Sequence, residues 1–247
     1  MITYYTAIGR MGTKYENGKR VPIIIVENKE YDLSMDELIM WGSLHWNFLN
    51  KRDLEKEFRR RKETAHIATD TSFDATLQRL IVRELVAEGT DYLAADALYG
   101  LLAKLQIRPV RMSLTDKIKS CAYMCVNKKV PVVQCIRKYF GGKITENERN
   151  ILRITKNAAV TTSKIIKCAE KNIKNLKDDD DIMDKVYDNP TDTSDTIITD
   201  SRFSKLKTDV LQAVANLYLK KKSYLKIKTL MQAIKPASFY LGGLYCE

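Results

Sequence analysis

Residues 22–54, PIIIVENKEYDLSMDELIMWGSLHWNFLNKRDL, decide how this chain is read. The β-branched run Ile23-Ile24-Ile25-Val26 predicts a strand over 22–28. Ser34 then offers an N-cap, and Glu37 three residues on completes a capping box. Leu38, Ile39, Trp41, Leu44 and His45 follow at helical spacing. A second helix starts after Asn50 and runs through Leu54 and Phe58, with Lys51, Arg52, Lys56, Arg59, Arg60, Arg61 and Lys62 on its outer face. Trp41, Trp46 and His45 read as core rather than as a ligand box.

Upstream of this stretch, residues 3–9 predict another strand. Glu16-Asn17-Gly18-Lys19 supplies the turn between the two, since Asn-Gly accepts positive φ. Downstream, the polar residues 64–71 lead into a third helix. Its stripe is Phe73, Leu77, Leu80, Ile81 and Leu85, and Gly89 stands where a C-terminal stop is expected. Residues 95–104 read as helix and 106–110 as extended. Residues 114–140 read as one or two amphipathic helices, closed by Gly141-Gly142.

A second module opens at Thr145 with another capping box to Glu148 and an apolar face of Ile151, Leu152 and Ile154. Thr162-Ser163 caps the next helix, which turns Ile165, Ile166 and Ala169 inward. After residues 176–200 comes a long amphipathic helix with Phe203, Leu206, Val210, Val214 and Leu217 inward, and then a strand over 224–228. The expected fold is therefore mainly α with a small β component (α+β). It divides into 1–112, bridging helices 113–142, and 143–247 with an acidic disordered insertion at 176–200.

Charge is distributed unevenly. Between Leu176 and Asp200, nine aspartates against two lysines give a net of −7, which leaves +18 on the rest of a chain whose formal charge is +11. A body that basic attracts polyanions, nucleic acid first among them. The acidic segment reads as a mobile loop, with cover for a basic surface as the alternative. Five cysteines with no CxxC pair do not make a disulfide framework. Cys121 and Cys125, at i,i+4 and followed by Cys135, read as small buried residues, with a metal or redox site as the alternative. Two histidines exclude a histidine-rich metal site. The longest aliphatic run is four residues, too short for a bilayer, and the first residues show no secretory signal, so no membrane partner and a cytoplasmic location are expected. Gly141-Gly142-Lys143-Ile144 lacks the upstream glycine of a phosphate loop. No other catalytic motif is found, so no enzyme, cofactor or metal is expected.

Each half thus runs helix, short helix, break, longer amphipathic helix, strand. That order resembles winged helix-turn-helix DNA-binding domains. Residues 22–54 are also similar to the start of response-regulator effector domains, in which a strand, a Leu-Ser cap, a Glu-Leu helix and an Arg-Asp-Leu second helix follow in order. In the second half the resemblance treats 176–200 as an insertion between the second and third helices.

An α-helix enters the major groove and reads base edges with residues near its N-terminal end. The expected base-contacting residues are Thr71, Ala75, Gln78 and Arg79 in the first half and Lys205, Thr208 and Gln212 in the second. Gln pairs with adenine and Arg with guanine in bidentate geometry. The expected phosphate contacts are Arg59, Arg60, Arg61 and Arg83, then Arg202, Lys207, Lys220, Lys221 and Lys222. The competing reading of all these faces is a solvated helix surface. The expected function is sequence-specific regulation of transcription on double-stranded DNA, as a homodimer joined through 113–142. The alternatives are a plasmid or mobile-element replication initiator with tandem winged helices, and a helix-turn-helix scaffold that binds protein.

Overall fold

The computed structural model describes residues 1–67, 71–110, 143–189 and 191–227, together with 115, 118, 121, 122 and 131. Most of the predicted bridging helices, 114–140, lie outside the described residues. The fold is mixed α/β, with three small antiparallel sheets ordered β5-β1-β6, β2-β3-β4 and β8-β7-β9.

The Asn-Gly turn forms where expected, with φ of 49° at Asn17 and 76° at Gly18, a pair suited to a tight two-residue hairpin. Its partners differ from the sequence expectation. The turn joins β2 (Arg10–Glu16) to β3 (Lys19–Val26), and β4 (Lys29–Tyr31) adds to the other edge of β3. The first strand, β1 (Ile2–Ala7), instead pairs with β5 (Leu49–Asn50) and β6 (Val86–Asp91). Gly9, at φ 89°, breaks β1 from β2. A Cβ there would stand 2.6 Å from the Ile25 carbonyl oxygen.

One unit recurs in near-identical register. The first copy is β1, α1 (Met35–Leu44), β5, α2 (Lys51–Thr64), α3 (Phe73–Val82) and β6. After α4 (Ala94–Leu102), the second copy is β7 (Leu105–Pro109), α5 (Glu146–Ile154), β8 (Val160–Thr161), α6 (Thr162–Glu170), α9 (Lys207–Leu219) and β9 (Ser223–Ile227). The pairs Tyr4–Asn50 and Ala7–Val86 match Gln106–Thr161 and Pro109–Ser223. The capping box of Ser34 and Glu37 matches that of Thr145 and Glu148. The third helix of each copy ends alike. Glu84 and Lys221 take φ of 56° and 58°, and the next residues, Leu85 and Lys222, donate back to Leu80 and Leu217, each at 2.9 Å. This double bond-back terminates a helix without a glycine. Gly89 is therefore not the stop of α3; it lies inside β6.

The copies share one apolar core. Trp41 is fully buried and donates its Nε1–H to Ile8 O at 3.0 Å. Tyr218, on α9, reaches into the first copy: its hydroxyl lies 3.0 Å from that of Thr6 and accepts the Trp46 N–H at 3.1 Å. Burying a hydroxyl is tolerable only with such partners.

The acidic stretch is folded, contrary to the expected disordered insertion. It forms α7 (Asp180–Val186) and α8 (Ser194–Arg202), and Leu176, Ile182, Val186 and Ile197 enter the core. Phe203, expected inward, is 81% exposed.

His45 sits between the Trp41 and Trp46 rings, at centroid distances of 4.4 and 4.5 Å, and its Nε2 is buried without a hydrogen-bond partner. Burial, with the Lys221 charge adding, pushes its pKa down to about 4. The folded state thus keeps neutral imidazole while the unfolded chain takes up a proton below about 6.5. Stability is full above that pH and is lost as pH falls from about 6.5 towards 4. Urea titration at pH 7 and pH 4.5 should show a loss of about 2 kcal/mol that His45→Phe removes. Equal pH sensitivity in the two proteins would contradict this.

Candidate nucleic-acid interface

The stripe of α3 places Leu77 and Leu80 in the core and leaves Asp74, Ala75, Gln78, Arg79 and Val82 exposed, while Thr71 is half-buried just ahead of the helix. The predicted reading face of the first unit is therefore presented to solvent as one surface. Arg79, though exposed, also lies 3.6 Å from Glu37.

Arg83 does not stand free. It makes two bonds of 3.2 Å to the Glu37 carboxylate, donates to Asp32 O at 2.8 Å and lies over the Tyr31 ring. It is a brace rather than the phosphate contact expected from sequence. On α2, Arg59 pairs with Glu55, and Arg60 and Arg61 both pair with Glu57. Arg60, and with it Arg61, holds the Glu57 carboxyl down at about 2. Arg59 and Arg60 remain exposed, but each carries its own counter-charge along the helix. Lys62, expected on the outer face, instead lies against the Phe58 ring and pairs with buried Asp36 at 3.2 Å. Arg52 and Lys56, one turn apart, are exposed and make no ion pair among the described residues. They are the open cations of this helix.

The sequence reading missed the β2–β3 ribbon. Arg10, Lys19, Arg20 and Tyr15 are exposed on it, Lys14 is half-exposed, and Glu16 is its only acid. Arg20 stacks over the Tyr15 ring and donates Nε to its hydroxyl at 2.7 Å. The signal lies in the Asn-Gly turn flanked by alternating cations, while residues 10–16, RMGTKYE, carry too few apolar residues to mark a strand by themselves.

In the second unit Thr208 and Gln212 are exposed on α9, with Lys205 just ahead of it, yet Asp209 shares that face. Three of the expected phosphate contacts carry ion pairs within the fold. Arg202 pairs with Asp91, Lys207 with Asp96 at 2.8 Å, and Lys220 with Glu148 at 2.7 Å. Lys221 is exposed and Lys222 half-buried at the start of β9, and they remain as open cations. The first unit therefore offers the more complete surface.

Among the described residues no group of His, Cys, Asp and Glu is placed to hold a metal, and no helix is long and apolar enough to cross a membrane. Cys168 is buried, which pushes its thiol up to about 11, away from the thiolate that metal or redox chemistry needs. Cys125, Cys135 and Cys246 lie outside the described residues. No protein-family model, curated protein or solved structure matches the chain.

Proposed function

We propose that the chain is a sequence-specific double-stranded DNA-binding regulator of transcription, built from two winged-helix units and acting in the cytoplasm. In each unit a helix, a two-residue strand, two further helices and a strand follow in order, with α7 and α8 inserted between those two helices in the second unit, and the middle strand of the sheet comes from upstream. The observation that carries the reading is the open face of α3, where Gln78 and Arg79 are exposed, together with the exposed Arg52 and Lys56 of α2, which make no ion pair among the described residues. A groove-reading helix flanked by phosphate-gripping cations is the geometry that duplex recognition requires. The basic ribbon β2–β3 supplies a further backbone contact. Pairing of two chains through 113–142 would extend the site over further half-sites.

Recurrence of the unit in matching strand register supports a second reading, replication initiation on repeated sites, because one chain then presents two reading heads. Selection of bound duplexes from a random pool separates the two by whether the recovered sites occur as direct repeats.

Two paired substitutions test DNA binding itself. Gln78→Ala with Arg79→Ala should cost about 1–3 kcal/mol per lost base contact and flatten the difference between selected and random duplex. Arg52→Ala with Lys56→Ala should weaken both duplexes alike and reduce the slope of log affinity against log salt by about 2, near 0.9 per phosphate. No binding at low salt, or binding without salt dependence, would refute the reading.

A further inference from the structure

The helix that follows the two-residue strand can be compared between the units position by position. Asn50 and Thr161 are the N-caps of α2 and α6, so Leu54 corresponds to Ile165, both buried. By the same register Lys167 stands where Lys56 stands, and Lys171 where Arg60 stands. With Lys164 they form a row along α6 at helical spacing. In the first unit this side of the helix faces solvent. In the second it is covered by the acidic stretch, which fills residues 171–206 between α6 and α9, where the first unit has only 65–72.

The cover is specific. Lys171 pairs with Asp188 at 2.7 Å and also donates to the carbonyls of Lys185 and Val186, each at 3.1 Å. Lys167 lies 3.5 Å from Asp200. Lys164, buried, points its ammonium at the Tyr187 ring, 4.9 Å from the centroid. Other aspartates of the stretch are occupied elsewhere: Asp179 accepts the N–H of Ala159, 20 residues upstream, and in local turns Asp181 accepts that of Lys177 and Asp192 those of Asp188 and Asn189. Asp188 and Asp200 are the two set against the lysine row. A planar carboxylate set opposite two of the three lysines, Lys167 and Lys171, is what a phosphate run would supply.

We propose that Lys164, Lys167 and Lys171 are a second surface for the phosphates of duplex DNA, and that the acidic insertion occupies it as a phosphate mimic. The proposal rests on the DNA-binding reading above and adds its regulation. The first unit binds with its open surface, and the second contributes only when duplex phosphates displace Asp188 and Asp200.

The test compares the wild-type chain with Asp188→Asn plus Asp200→Asn, and with a control, Asp180→Asn plus Asp184→Asn, which removes the same charge from positions that make no ion pair among the described residues. Duplex affinity is measured across salt. The first variant should bind tighter and show a salt slope steeper by about 2, while the control keeps the wild-type slope. Amine acylation read by mass spectrometry gives a second measure. Lys167 and Lys171 should label faster in the first variant, and duplex should then protect them. If wild type binds DNA but the first variant matches the control in slope and shows no added protection, the second surface is wrong and the DNA-binding reading stands. If none of the three proteins binds duplex, both fall. Circular dichroism and thermal unfolding confirm that the variants are folded.

Discussion

Lys220→Met lowers the free energy of unfolding by about 3 kcal/mol, with a fall in Tm of about 6–12 °C for a chain of this size. Glu148 is fully buried. Its carboxylate accepts the Thr145 N–H at 3.2 Å to close the capping box, and takes two bonds from Lys220 Nζ, at 2.7 and 2.9 Å. Removing the amine leaves a charge in the core with one backbone donor. Breaking a buried pair from one side costs about 3–5 kcal/mol, and the value here sits at the lower end because Lys220 itself is partly exposed. Adding Glu148→Gln to the variant should restore part of the loss, since the amide keeps a partner for Thr145 without the charge. Arg83→Met in the first unit breaks the corresponding pair, but Glu37 keeps Arg79 within 3.6 Å, so a smaller loss is expected. Urea unfolding of the three variants checks the order. If Lys220→Met leaves stability unchanged and only weakens DNA binding, the cation is a phosphate contact after all and the pairing is wrong.

That pair shows where sequence stops informing structure. Both capping boxes, the α3 stripe and the Asn17-Gly18 turn were legible, because each is a local pattern whose partners lie within a few residues. A cation's partner is not local. Arg83, Arg202, Lys207 and Lys220 all read as free positive charge, and all four are neutralised by acids distant in sequence. Strand partners failed for the same reason: β5 and β8 are two residues long, too short to show any periodicity, yet each forms an edge of a three-stranded sheet. Composition misled at the acidic stretch, where nine aspartates outweighed the widely spaced Leu176, Ile182, Val186 and Ile197 that anchor it. The repeat shows in the order of elements, but its register is hidden because equivalent core positions differ in identity, as Trp41 and Leu152 do. The exposed face of α3 came through because solvent exposure follows directly from the stripe it opposes.

Gly89→Ala should destabilise this protein by about 3 kcal/mol or more. Alanine in place of glycine inside a strand ordinarily helps, since it limits the unfolded chain. Gly89 has no positive φ that would reverse that preference; what reverses it is space. A Cβ there would collide with the Leu101 backbone nitrogen, stand 2.5 Å from Ala97 O and 2.6 Å from Leu101 Cβ. Two of those three atoms belong to the α4 backbone, so no rotamer change relieves the clash and the whole helix must move off β6. Gly100, one turn away on α4, has open space around its Cβ position, and Gly100→Ala should stabilise by about 0.5–1 kcal/mol. Opposite signs from the same substitution on two faces of one contact cannot come from propensity alone. The consequence extends beyond β6, because α4 carries Asp96, the partner of Lys207, and Tyr99, whose hydroxyl donates to Ile198 O at 2.6 Å. Lifting α4 therefore loosens α8 and α9 together, and Gly89→Ala should release the acidic stretch as well as lower Tm. Thermal unfolding of the two alanine variants settles the first point, and faster acylation of Lys167 and Lys171 in Gly89→Ala the second. Equal stability of the two variants would mean that α4 does not rest on Gly89.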